Sequence, residues 1–187
     1  MRIGAIVLAG GRSRRMGQAK ESLPMGDSTM LCRAVETFAD WAYPVVVVAR
    51  DPKQELPPLP IEIDTIFDGT PDQGPLVGIL AGMRFVQGQC DAVFVTGCDV
   101  PFPDGKVIDW LAEQLGEHDV VMAKTDEKLQ PLGALYRMSL LSTVEELVQK
   151  GVRTPRSLVE EGVVEQEEAL DNADSRDNLQ NRFAFGK

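Results

Sequence analysis

A chain of 187 residues with 43% apolar content is long enough for one full hydrophobic core and short for two ordinary domains, so a single domain over residues 1–187 is expected. A formal net charge of −10 argues against general nucleic-acid binding, and no apolar run approaches the ~18–20 residues of a bilayer span, so neither a nucleic-acid nor a membrane partner is expected and a cytoplasmic location is. The single histidine, His118, excludes a histidine-based triad or multi-histidine metal site within one chain, and Cys32, Cys90 and Cys98, without C-x-x-C spacing, support neither a zinc site nor a disulfide framework.

In chain order, Ile3 to Ala9 is a nearly continuous apolar run, the pattern of a parallel strand covered on both faces. Further apolar, β-rich runs follow at 45–49, 61–67, 92–96 and 119–123. Helix-like segments lie between several of them, at 29–41, 76–87, 104–116 and 139–149, with a short one near 175–182. This alternation predicts an α/β fold built on a parallel sheet. The proline-rich Glu55–Pro60 reads as a surface connection, and the acidic 163–170 as a solvated edge.

The first strand runs into Gly10 and Gly11, which let backbone N–H groups approach a ligand without interference from a Cβ. Arg12, Arg14, Arg15 and Lys20 then bring donors suited to phosphate oxygens. Residues 1–20 carry +5 and no acidic residue, whereas the remaining 14 basic and 29 acidic residues give −15. Cations therefore gather where the glycines are, although arginines alone would also suit a solvated turn. Neither the Gly-Lys-Ser/Thr of a Walker loop nor a G-x-G-x-x-G fingerprint is present, so this is a third kind of phosphate loop.

In open α/β sheets, ligands sit beyond the carboxyl ends of strands. Asp68 after IEIDTIF, Asp99 after AVFVTGC and Gln130-Pro131 in the loop before LGALYR occupy such positions. A carboxylate at a strand terminus suits Mg²⁺, which takes one or two protein carboxylates and fills its shell with water and phosphate oxygens. An Asp that only caps the turn before Pro101 is the alternative. In DGTPDQGPLVGILAGM, Gly74, Pro75 and Gly78 open a helix, for which Pro in the first turn and small residues packing on a sheet suffice.

LAGGRSRRMGQAK is similar to the L-A-G-G-x-S-x-R-M-G-x-D-K signature of the molybdenum cofactor guanylyltransferases, departing at Ala19, where the signature has Asp. Cys98-Asp99-Val100-Pro101 resembles their C-D-x-P motif, Gly74 to Gly78 their G-P-L-A-G segment with Val77 for Ala, and Gln130 to Arg137 their Q-P-L-x-A-L-Y-R strand. Cytidylyltransferases of the same pathway typically show LAAG and a serine-rich segment instead. The resemblance runs from Ile3 to about Leu179, strong through residue 137 and thin afterwards: Asn172-Ala173-Asp174-Ser175 matches N-x-N-T-P-E only in part, and Ala49 stands where relatives often have Asn.

The resemblance implies a three-layer, Rossmann-like, mostly parallel sheet of the nucleotide-diphospho-sugar transferase type. It also implies transfer of GMP from GTP to the terminal phosphate of molybdopterin-bound molybdenum, with release of pyrophosphate. Leu8, Ala9, Gly10 and Gly11 would then hold the guanosine, with Gly10 leaving room for the larger base, and Asp68 would contact the nucleotide. Arg15 and Lys20 would face the triphosphate, Asp99 would hold Mg²⁺, and Gln130 and Asn172 would lie on the pterin side. Cofactor-biosynthesis proteins and recipient apoenzymes are the implied protein partners. A nucleotidyltransferase with another base or acceptor, and a non-catalytic GTP- or cofactor-binding homologue, stay open as alternatives.

Overall fold

The computed structural model describes residues 1–11, 19–59, 63–69, 73–99, 105–125 and 128–160. Among the described residues eight strands and five α-helices follow one another: β1 (Ile3–Leu8), β2 (Pro24–Met25), β3 (Ser28–Thr29), α1 (Met30–Ala39), β4 (Val45–Ala49), β5 (Asp64–Phe67), α2 (Pro75–Phe85), β6 (Ala92–Gly97), α3 (Gly105–Leu115), β7 (Val120–Thr125), β8 (Lys128–Arg137), α4 (Leu141–Gln149) and α5 (Ser157–Glu160). β2 and β3 form a small antiparallel hairpin. The other six make one sheet in the order β5-β4-β1-β6-β8-β7.

β1, β4, β5 and β6 are mutually parallel, as the alternating pattern predicts. β8 is not: it runs antiparallel to both β6 and β7. Only two residues separate Thr125 from Lys128, and a parallel pairing needs a crossover of a dozen or more, so the chain has to double back. The sheet is thus mostly parallel, with one reversed strand inserted beside β6. Gln130 and Pro131, expected in a loop, belong to β8, where Gln130 pairs with Ala123.

Strand alternation divides the core into two layers. Ala5, Val7, Val45, Val47 and Phe94 point to one face, against Leu31, Val35 and Phe38 of α1 and Ile108 and Leu111 of α3. Ile6, Val46, Val48, Val93 and Val95 point to the other, against Leu76, Ile79 and Met83 of α2 and Val144 and Leu147 of α4. Burial on both faces is why these strands read as unbroken apolar runs rather than as alternation with polar residues. Phe38 and Phe94 tilt against each other at 5.5 Å between centroids. Residues 55–59 of the ELPPLP connection are tied down: Leu56 and Leu59 pack on the first layer, and the Cys32 thiol donates to the Pro58 carbonyl at 3.1 Å.

Two glycines set the distance between α2 and β1. A Cβ on Gly78 would meet Leu8 Cδ2 at 3.1 Å, and one on Gly82 would sit 2.8 Å from Ile6 Cδ1 and Cγ2. The helix therefore lies directly on the strand, and its N-terminus reaches the carboxyl edge of the sheet. The three cysteines are buried and unbridged.

Candidate active site

A cleft of about 470 Å³ opens at the carboxyl ends of β1, β4, β5 and β6, where strand order reverses about β1. Leu8, Gly10 and Gly11 supply its floor, Val48, Arg50 and Asp68 one side, Gly97, Cys98 and Asp99 the other, and the start of α2 a wall. Backbone bonds between neighbouring strand ends fix this rim: Ala9 N–H donates to Val48 O, Cys98 N–H to Leu8 O and Asp68 N–H to Ala49 O, at 2.9, 3.0 and 3.1 Å.

Within the cleft, Lys20 Nζ donates to Asp99 Oδ2 at 2.8 Å. The hydrogen bond to Asp99 raises the lysine pKa above its ordinary value of 10.5 against the opposing effect of burial, so Lys20 is a cation at neutral pH. Both side chains are well exposed, at 36% and 42%. An exposed pair of this kind is worth ~0–1 kcal/mol, so an incoming phosphate or metal ion can displace either partner at little cost. A Cβ on Gly97 would lie 2.5 Å from Asp99 Oδ1, so the carboxylate folds back over the glycine. Cys98 beside it is buried, and desolvation pushes its thiol up to about 12, so it is no nucleophile.

Lys20 starts a 3-10 turn, Lys20–Ser22, whose N-cap is Ala19 with no side-chain cap. The Asp of the resembling signature thus falls where a carboxylate would cap the turn that carries the lysine. The glycines differ in purpose. A Cβ on Gly11 would meet nothing within 4 Å, leaving open space at the cleft, whereas one on Gly10 would press on the Arg50 backbone N at 3.3 Å. Gly10 therefore lets the β4 loop approach the β1 loop closely at Arg50. Gly74 takes φ 85°, and the Arg153 carbonyl oxygen that accepts from Leu76 N–H lies 2.5 Å from where a Gly74 Cβ would be.

At the far side, β8 bulges. Met122 pairs with Ala134 but Ala123 pairs with Gln130, so residues 131–133 have no partners on β7. Gly133 takes φ 110°, and the buried Tyr136 hydroxyl donates to Pro131 O at 2.8 Å, which pins the bulge and sets Leu132 into the cleft.

Of the residues singled out by sequence, Leu8, Gly10, Gly11, Lys20, Asp68 and Asp99 meet around this one cleft. Ala9 is fully buried behind it, its N–H bonded to Val48 O and its C=O accepting from Gln54. Gln130 sits in β8 and is not among the lining residues. Arg15 and Asn172, with Arg12, Arg14 and the segment 175–182, lie outside the described residues. Arg50, Gln73 and Leu132 line the cleft without having been read from sequence; Arg50, directly after VVVVA, carried the strand-end signal.

Residues 5–169 match the family model of the MobA-like NTP transferase domain. The chain belongs to this family. Within it, the chain is 33% identical over 156 residues to the probable molybdenum cofactor guanylyltransferase of Methanosarcina mazei, covering 79% of this chain and 69% of that protein. It is 34% identical over 162 residues to the one from Mycobacterium tuberculosis, covering 84% and 79%. Among solved structures, molybdopterin-guanine dinucleotide biosynthesis protein A from Archaeoglobus fulgidus superposes with a TM-score of 0.64 at 22% identity, over 97% of each chain. The 4-diphosphocytidyl-2C-methyl-D-erythritol synthase of Anaerococcus prevotii reaches 0.66 at 12%, over 98% and 96%. Two proteins with different names thus share this fold about equally well, so the fold by itself selects neither base nor acceptor. No helix among the described residues is long and apolar enough to cross a membrane.

Proposed function

We propose that this nucleotidyltransferase is a molybdenum cofactor guanylyltransferase, joining GMP from GTP to the terminal phosphate of molybdopterin-bound molybdenum and releasing pyrophosphate. The observation that carries the reading is the Lys20–Asp99 pair at the mouth of the cleft, one side chain fit to meet phosphate and the other a hard cation, both immediately beside the glycine loop. The names of the relatives, and the LAGG and GPL-x-G segments, support guanine as the base.

In this reaction a phosphate oxygen of the acceptor bonds to the α-phosphorus of GTP, and the α–β phosphoanhydride bond breaks to give pyrophosphate. Both reactants are anions, so the chain's task is to bring them together and screen their charge. Lys20 leaves Asp99 for the triphosphate and neutralises charge as it moves toward the leaving group. The Gly10–Gly11 backbone lies along the nucleotide, and Asp68 faces it from the end of β5.

Among the described residues there is no cluster of three or more potential metal ligands. A single half-exposed Asp at a strand terminus still fits Mg²⁺, because waters and substrate phosphates complete its shell. Asp99 would hold the ion, which when bound supplies charge neutralisation at the phosphates. Lys20→Ala and Asp99→Ala are each expected to cut turnover by ~10²- to 10³-fold with unchanged unfolding midpoints; near-normal rates in either variant would remove that residue's role.

A further inference from the structure

Three segments that border the cleft are tied together by one side chain that does not line it. Gln54 Oε1 accepts from Arg50 N–H at 2.8 Å, while its Nε2 donates to Ala9 O at 2.8 Å and to Glu21 Oε1 at 2.6 Å. Two donors and one acceptor are used, a set that a carboxamide provides and that neither a carboxylate nor an apolar side chain can reproduce. The partners are the residue before Gly10–Gly11, a residue of the cleft wall and the residue after Lys20.

Glu21 is 3% exposed, and its Oε2 has no partner among the described residues. A half-satisfied buried carboxylate is a cost that packing alone does not explain. Its place in the chain supplies a reason. In a 3-10 turn, with three residues per turn, successive side chains diverge by about 120°. Drawing Glu21 inward toward Gln54 therefore sends Lys20 outward, to where its Nζ meets Asp99.

We propose that Gln54 and Glu21 are the positioning pair of the nucleotide site: they set the direction of Lys20 without touching substrate. The proposal rests on the guanylyltransferase reading for its kinetic effect and on geometry alone for its structural one. Ala19 leaves the lysine's turn without a side-chain cap, so the pair holds from inside what a cap would hold from outside.

The test avoids leaving an unpaired buried charge. Glu21→Gln keeps an oxygen for Gln54 to donate to, and its kcat/KM for GTP stays within about 3-fold of the parent. Adding Gln54→Met removes all three bonds at similar volume, and kcat/KM falls on the order of 10²-fold through misplacement of Lys20. In a Lys20→Ala background the same double substitution has less than about a 3-fold effect, because the residue it acts through is already gone. A crystal structure of Glu21→Gln/Gln54→Met shows Lys20 Nζ beyond hydrogen-bond distance of Asp99. The proposal is overturned if Lys20 stays on Asp99 in that structure, if the loss recurs in full without Lys20, or if Glu21→Gln alone is as damaging as the double variant. If the parent protein releases no pyrophosphate from GTP with molybdopterin-bound molybdenum, the functional reading fails, and the crystallographic distance still decides the positioning claim.

Discussion

Replacing Gly74 by alanine distinguishes a glycine kept for the ligand from one kept for the fold. Gly74 sits at φ 85° and ψ 165°, a region nearly closed to other residues and worth ~1–3 kcal/mol of strain. A Cβ there would lie 2.5 Å from the Arg153 carbonyl oxygen and 3.0 Å from Arg153 Cβ. The oxygen is backbone and cannot rotate aside, so the 3.1 Å bond it accepts from Leu76 N–H must break, at ~0.5–1.5 kcal/mol. The two contributions give a loss of about 2–4 kcal/mol, or roughly 5–15 °C in Tm for a chain of this size. Urea unfolding followed by the fluorescence of Trp41 and Trp110 measures it, with the m-value unchanged. A loss below about 0.5 kcal/mol, with GTP affinity reduced instead, would refute the reasoning and return Gly74 to the ligand.

Gly82→Ala places a methyl 2.8 Å from two carbons of the fully buried Ile6; overpacking of ~1–3 kcal/mol outweighs the ~0.5–1 kcal/mol gained in helix propensity, so it destabilises. Gly78→Ala presses on the tip of Leu8 at 3.1 Å and makes an ordinary contact with Val48 Cγ1 at 3.7 Å, so it comes out within about 0.5 kcal/mol of the parent by the same unfolding assay, and the reverse ranking would contradict the packing described. Ala19→Asp caps the turn bearing Lys20, stabilising it by about 0.5–1 kcal/mol and raising kcat/KM; no change in either would leave the Asp of the family signature without this explanation. The Cys98 thiol, pushed by burial from an ordinary 9.0 up to about 12, stays protonated and resists Ellman's reagent at pH 8 in the folded protein. Because its folded value is raised, its contribution to stability is complete below about pH 9 and is lost as pH climbs toward 12; rapid labelling of Cys98 at pH 8 would contradict its burial.

What was legible in the sequence was local. A strand running into Gly10-Gly11, and another ending at Cys98-Asp99, announce themselves because apolar runs and the residues just beyond them are contiguous in the chain. That the two ends meet, with Lys20 on Asp99, follows once β1 and β6 are neighbours. Gln54 could not be read in this way: two of its three partners lie 45 and 33 residues away, and one polar side chain in a proline-bounded connection carries no periodic signal. The reversed β8 escaped because QPLGALYR specifies a strand but not its direction, which the short connection to β7 decides. Gly10 and Gly74 were legible as glycines whose reason was not, since the atoms that exclude a Cβ belong to Arg50 and Arg153.

The most direct test of the central claim is pyrophosphate release from GTP with Mg²⁺ and molybdopterin-bound molybdenum, with CTP run in parallel. The guanylyltransferase reading predicts release with GTP alone, accompanied by the guanine dinucleotide product. Release with CTP alone would contradict guanine as the base, and GTP binding without release would contradict catalysis on this acceptor.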